Sequence, residues 1–253
     1  LSDGGRRHKP EFITSFEAGL KTELLNKALA LNLAAFSMKY KDMQVSSIEF
    51  TGEGIARQQQ LVTSNAARST ISGLEAEWVW RLSPATRFGG YASWLKAQYD
   101  DFLTCDSALT DCALASNVVN LKGEDLPHAP KFSTTFSVEH DFAVGAGKLT
   151  PRLQAQYKTK TKLGPFGAIS SAAPAAAQQQ GDGRFQKAYS TIDLSLRYEE
   201  LKGRYFVEAF VVNAGDTEVK TDSAWRANGT ANASFVSFYH PPRTYGLKGG
   251  FRF

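Results

Sequence analysis

Along most of the chain apolar and polar residues alternate one by one. From Glu11 to Leu24 one parity holds Phe12, Thr14, Phe16, Ala18, Leu20 and Leu24, and the other holds Ser15, Glu17, Gly19, Lys21 and Glu23. The period returns in Gly73 to Leu82, where Leu74, Ala76, Trp78, Trp80 and Leu82 oppose Glu75, Glu77 and Arg81. It returns again in Lys131 to Phe142, Leu149 to Lys158 and Thr191 to Glu199. Successive side chains of a strand point to opposite faces, so each segment predicts a strand with one apolar and one polar face. Two segments are less regular. Ala28 to Tyr40 moves from Leu29, Leu31 and Leu33 on one parity to Phe36, Met38 and Tyr40 on the other, which a bulge near Ala34 or Ala35 would reconcile. Thr86 to Tyr99 can be phased either way.

Connection lengths then decide the architecture. Tight turns fall at Leu25-Asn26-Lys27, Ser83-Pro84-Ala85, Val144-Gly145-Ala146-Gly147 and Leu201-Lys202-Gly203. Between them fall long polar stretches at Val45–Ser69, Thr104–Pro130, Lys160–Lys187 and Ala214–His240. A soluble β-sandwich seldom puts every long loop at alternate connections, whereas a membrane β-barrel has short turns on one side and long loops on the other. The expectation is an all-β, antiparallel up-and-down transmembrane β-barrel.

Composition alone points elsewhere. A chain of 253 residues, 42% hydrophobic, with a mean hydropathy of -0.30, has the profile of a soluble globule. Barrels share that profile, because half of each strand is polar. The most apolar stretch, Ala28 to Met38, is about half of the roughly 20 residues that a membrane helix needs. The net charge of +4 comes with no dense Lys/Arg block, which excludes a nucleic-acid face. His8, His128, His140 and His240 are scattered without metal-ligand spacing, and no nucleophile elbow or phosphate loop is present. Catalysis, a metal and a cofactor are therefore not expected.

Several runs resemble a known family. PEFITSFEAGLKTELLNKALALNLAAFSMKYKDMQ, Pro10 to Gln44, is similar to a hairpin of TonB-dependent outer-membrane receptors. In that family a Pro-Glu start, an aromatic-Glu-x-Gly-Leu-Lys strand and a Phe…Tyr…Asp…Gln return strand recur. Asn65-Ala66-Ala67 with Gly73-Leu74-Glu75-Ala76-Glu77 resembles the next strand. Val212-Asn213-Ala214-Gly215-Asp216 and Pro241-Pro242-Arg243-Thr244-Tyr245-Gly246 resemble the close of the barrel. The motifs stand in family order over nearly the whole chain.

The resemblance implies a barrel of about 22 strands plugged by an N-terminal domain. Such receptors lie in the outer membrane of Gram-negative bacteria. They import scarce solutes such as ferric siderophores, using energy passed to a TonB box. About nine strands are legible here, so residues 1–253 are expected to be one incomplete domain, the C-terminal part of the barrel. The start, LSDGGRRHKP, reads as a cut through a loop. Plug, TonB box and earlier strands would then be partners outside this chain. Lipid, lipopolysaccharide, the barrel assembly machinery and an unidentified solute complete the expected partners. The alternative reading is a passive porin or a surface-binding barrel without TonB coupling.

Candidate functional residues follow from that frame. Lys158, Lys160 and Lys162 share the inward parity of Arg152, Gln154 and Gln156, and Arg184 and Lys187 open the returning strand. Together they suggest a basic wall that draws in an anionic solute. The plainer reading is a solvated wall of mixed charge, with Glu139 and Glu199. Trp225, Arg226 and Tyr239 sit in the last long loop, suited to stacking on a ligand, although Phe238 and Tyr239 also suit a membrane-interface girdle. Trp78 and Trp80 are expected girdle residues. Cys105 and Cys112, within TCDSALTDC, are placed to form a loop-closing disulfide in an oxidising compartment. At the end of the chain Tyr245, Phe251 and Phe253 share the lipid-facing parity. They are similar to the family's outer-membrane insertion signal, with Lys248 where that signal usually has Gly.

Overall fold

The computed structural model describes residues 8–51, 58–106, 115–166, 182–228 and 232–252. β1 (Phe12–Leu24) and β2 (Leu29–Thr51) form the first hairpin. Their turn is a run of left-handed residues, Leu25, Asn26 and Lys27, at φ 52°, 54° and 69°. β3 (Gln58–Arg81) and β4 (Thr86–Cys105) form the second, where Ser83 and Thr86 exchange backbone hydrogen bonds across the turn. The chain continues through β5 (Val118–Asn120), β6 (Phe132–His140), β7 (Phe142–Val144) and β8 (Gly147–Lys158). Two short strands, β9 (Thr161–Lys162) and β10 (Phe185–Gln186), precede β11 (Tyr189–Glu200) and β12 (Tyr205–Val212). The last hairpin, β13 (Lys220–Asn228) with β14 (Asn232–Tyr239), leads into β15 (Thr244–Phe251).

Nine of these strands make one antiparallel path, β1-β2-β3-β4-β6-β8-β11-β12-β15. Paired residues share a face, so the register can be followed across the sheet. One row runs through all nine strands: Leu24, Leu29, Trp80, Phe88, Val138, Leu153, Leu194, Val211 and Tyr245. Every member is apolar. The adjacent row on the other face contains Arg81, Arg87, Glu139, Arg152 and Ser195. The apolar row begins at the last residue of β1 and ends at the second residue of β15. The strands are therefore staggered along the ladder, as a tilted barrel wall requires.

The apolar face is left uncovered. Phe16 is 74% exposed, Tyr245 and Leu247 78% and Phe251 69%. A water-soluble sheet would have to cover so continuous an apolar surface, whereas hydrocarbon can remain in contact with it. Aromatic rings mark two levels on this face. Trp80, Phe88 and Phe136 form one chain of ring contacts, at 5.6 and 6.0 Å. Trp94, Phe132 and Tyr157 form another, at 4.8 and 6.2 Å. Trp78 and Trp80 thus face outward, and Thr86 to Tyr99 is phased with Phe88 and Trp94 outward. Glu75 and Glu77 face inward, accepting hydrogen bonds from the Tyr91 hydroxyl and the Asn32 amide.

The expected bulge near Ala34 is absent. β1 and β2 stay in register from Phe12 opposite Lys41 to Leu24 opposite Leu29. Phe36 instead points to the polar face and lies over Gly73, its partner in β3, where a Cβ would come within 2.8 Å of the ring. The broken alternation is thus an inward aromatic covering bare backbone. The true irregularity lies between Tyr40 and Gln44, where Asp42 has φ 56°. Ring-over-glycine pairs recur directly across the ladder: Trp78 on Gly90, Phe206 on Gly250 and Phe210 on Gly246.

Of the long polar stretches, Val45–Ser69 and Ala214–His240 are largely paired backbone. β2, β3 and β4 have 23, 24 and 20 residues, against the 9–11 or so that cross a bilayer. They continue past the upper aromatic level as ribbons, so most of Val45–Ser69 is strand. Residues 118–131 fold back along β4, with Leu121, Gly123 and Leu126 donating to Phe102, Tyr99 and Ala97. Leu121 and Leu126 are buried there with Ala67, Ala97, Tyr99 and Phe102. This small core lies on the polar-face side of the sheet, near the loop end.

Candidate functional site

At the loop end, buried polar side chains tie the connections together. Lys162, 9% exposed, pairs with Glu124 of the segment beside β4. Arg184, 5% exposed, meets Asp106 at 2.7 Å and lies over the Phe166 ring. Gln186 is buried too, accepting from the Lys220 N–H at 2.6 Å and donating to the Lys187 carbonyl at 2.9 Å. These contacts fasten the β9–β10 hairpin to β4 on one side and to β13 on the other.

Asn213 to Asp216 forms the anchor above β12. Asn213 takes φ 53°, donates from its N–H to the Asp193 carboxylate, and caps the next turn through paired bonds with Thr217. The Asp216 carboxylate accepts from the Arg243 N–H at 2.8 Å, joining this turn to the start of β15. A left-handed residue with a short polar side chain is what such a turn requires.

Between these fastened loops lies a cleft of ≈ 570 Å³ above the start of β11, lined by Lys160, Phe185, Lys187, Tyr189, Glu218, Lys220 and Tyr239, among others. Lys160 Nζ stands 3.8 Å from the Phe185 ring centroid. Tyr239 is about half exposed. Three lysines against one glutamate, with three aromatic rings, suit a partly planar anionic ligand.

The structure brings Lys160 and Tyr239 together but separates the expected lysine row. Lys158 ends β8, paired with Ser133 and Tyr189 on the polar face. The chain leaves the sheet after it, Lys162 turns into its buried pair with Glu124, and Arg184 is buried against Asp106. A continuous basic wall along β8 is therefore corrected to a local cluster around Lys160. Trp225 and Arg226 stand opposite Phe235 and Ser234 in the β13–β14 hairpin, and their side chains lie outside the described residues. Cys112 and Phe253 also lie outside them, while no described cysteine is free. Tyr245 and Phe251 lie exposed on the apolar face. Phe185, Tyr189 and Glu218 carried no signal in the sequence, because only the folding of separate loops makes them neighbours. Among the described residues no group of His, Cys, Asp and Glu is placed to hold a metal ion.

With this geometry in hand, the comparisons fix the family. The family model described as TonB dependent receptor-like, beta-barrel, matches residues 8–215. The chain belongs to this family of outer-membrane receptors. No curated protein matches it in sequence. Among solved structures it is similar to the ferric yersiniabactin uptake receptor FyuA of Yersinia pestis, with a TM-score of 0.64 and 22% identity over 94% of this chain and 29% of that one. It is also similar to the siderophore receptor PiuA of Acinetobacter baumannii, at 0.65 and 17% over 98% and 29% of the two chains. The ferric-catecholate import receptor Fiu of E. coli K12 follows at 0.56 and 19%, over 96% and 27%. At these identities the likeness is one of fold, and the chain spans under a third of each receptor.

Proposed function

We propose that this chain is the C-terminal barrel wall of a Gram-negative outer-membrane receptor that imports a scarce solute, such as a ferric siderophore, with TonB-supplied energy. The observation that carries this reading is the single apolar row across nine staggered strands, below fastened loops that enclose a cleft. The short turns then face the periplasm, and the loops face outward. FyuA is named for ferric yersiniabactin uptake, PiuA as a siderophore receptor and Fiu for ferric-catecholate import, which supports the solute class. In this reading Lys160 and Tyr239 touch the solute, helped by Lys158 at the cleft's foot and by Trp225 and Arg226 from the last hairpin. A Cys105–Cys112 disulfide closes the loop above β4. Tyr245, Phe251 and Phe253 form the signal read by the barrel assembly machinery, and coupling to TonB passes through a plug outside this chain.

The test is uptake of labelled ferric siderophores by iron-starved cells carrying the full-length receptor, with and without TonB. Uptake is expected only when both proteins are present. Uptake that persists without TonB would return the protein to the passive-barrel reading. Replacing Lys160 and Tyr239 together by Ala is expected to weaken siderophore binding about tenfold, the size of a lost ring contact plus a cation. Unchanged binding in a Trp225→Ala/Arg226→Ala receptor would remove the last hairpin from the site.

A further inference from the structure

Cations gather on the apolar side of the sheet where that face ends. The row above Leu74 and Trp94 reads Phe16, Ser37, Ser72 and Lys96 across β1 to β4, and the next reads Thr14, Lys39, Thr70 and Gln98. Lys41, opposite Phe12, follows on β2. All three lysines are exposed, and none has an ion pair among the described residues. Lys39 and Lys96 stand about ten residues past the first residues of β2 and β4, the length of strand that crosses a bilayer. The acids on this side are already engaged. Asp100 accepts from the Thr70 hydroxyl at 2.7 Å, Asp101 pairs with Arg68 at 3.2 Å and Asp125 with Lys131 at 3.1 Å. Below the lysines, on the same face, Phe16, Leu74 and Trp94 stand exposed.

We infer that this rim holds the phosphates of lipid A, the acylated and doubly phosphorylated disaccharide of lipopolysaccharide, with its acyl chains against Phe16, Leu74 and Trp94. The inference rests on the membrane reading above, which sets these lysines at the headgroup level of the outer leaflet. One strand lies between β2 and β4, so Lys39 and Lys96 stand on the order of 12 Å apart. A disaccharide with a phosphate at each end spans such a distance. Ser37 and Ser72, between the two lysines, are short enough to leave room for sugar and carry hydroxyls to bond it. Charge, hydroxyl and hydrocarbon contact thus lie on one face, with the charge uppermost, as the phosphates, sugar and acyl chains of such a lipid are arranged. An inorganic anion would meet the lysines and leave Leu74 and Trp94 uncovered.

The experiment places the full-length receptor in phosphatidylcholine vesicles containing lipid A spin-labelled on an acyl chain or, in a parallel arm, the same lipid stripped of its phosphates. Each cation near a lipid surface changes anionic-lipid binding by about fivefold. The phosphorylated form should therefore be enriched at the protein by about tenfold or more over the stripped form, and Lys39→Gln/Lys41→Gln/Lys96→Gln should bring that preference to within about twofold. The same three positions changed to Arg should retain it, which a merely misfolded receptor would not. Lys21→Gln/Arg81→Gln, on the polar face of the same wall, should leave it intact. Equal enrichment of the two lipids, or an unchanged preference in the glutamine variant, would overturn the inference. Displacement of the label by inorganic phosphate would make this a free-anion site, and equal competition by phosphatidylglycerol would make it a site for any anionic lipid; either result also overturns it. A receptor absent from the outer-membrane fraction would instead refute the membrane reading.

Discussion

Two levels of the same strands obey different rules. Across the lower sheet the outward positions are largely apolar and the inward ones mostly polar, because one face meets hydrocarbon and the other does not. Above the upper level β2, β3 and β4 keep their hydrogen-bond ladder and lose the alternation, as in Ser46 opposite Thr63, whose hydroxyls bond at 2.8 Å. The ladder follows from backbone pairing alone, whereas the alternation reports the surroundings of each face. Burial is inverted as well. The lower sheet exposes its apolar residues, while the upper region buries Leu121, Leu126, Tyr99 and Phe102 in a small core of ordinary kind.

The sharpest way to break this contrast is to charge the apolar row. Leu194→Arg in the full-length receptor should cost about 2–4 kcal/mol in urea unfolding from lipid vesicles, the scale for a cation facing hydrocarbon. Gln156→Arg, on the polar face of the neighbouring strand, should stay within about 0.5 kcal/mol. Equal costs would deny that the two faces meet different solvents.

A smaller and local effect is expected above the membrane. Leu126→Ala should remove about 2 kcal/mol, the low end for a buried leucine, because the core it leaves is small and near water. The loss should appear as faster hydrogen exchange and protease cutting in residues 118–131, with the lower sheet unchanged. Global unfolding at a lower urea concentration would show that the two regions are one cooperative unit.

The smallest effect concerns the turn end. The Thr150 hydroxyl, donating at 2.6 Å, holds the Asp141 carboxyl below its usual range, with Lys148 adding to this at 3.0 Å. A carboxyl lowered by folding contributes stability above its unfolded value of about 3.9. That contribution disappears as pH falls through the still lower folded value. Asp141→Asn should therefore reduce stability at neutral pH by less than about 1 kcal/mol and flatten the acid limb of a pH–stability curve. An unchanged acid limb would remove Asp141 from the account.

The sequence was legible where a solvent boundary wrote on it. The nine strands, the four short turns and the outward Trp78 and Trp80 could all be read from period and length. The phase of Thr86 to Tyr99 could not, since Gly89 and Gly90 give no sign of face. Phe36 misled because alternation cannot tell an inward ring over a glycine from a slipped register. The ribbons above the membrane were illegible because neither of their faces meets hydrocarbon, so no single alternation is imposed on them. In the site, Lys160 and Tyr239 stood out by residue type, but their meeting depends on Gln186, Asn213 and Arg184 fastening loops far apart in sequence. No local pattern encodes such a meeting.

The rings seated on glycines bear on how the sheet finds its alignment. A slip of one residue turns every side chain to the wrong face and is rejected by the surroundings. A slip of two restores every face and passes that filter. It would, however, set Phe210 against Thr244 or Lys248 instead of Gly246, and Phe36 against Ile71 or Glu75 instead of Gly73. These pairs act as keys that accept one alignment among those the membrane tolerates. Enlarging Gly73 or Gly246 should therefore yield misaligned wall rather than merely weaker wall.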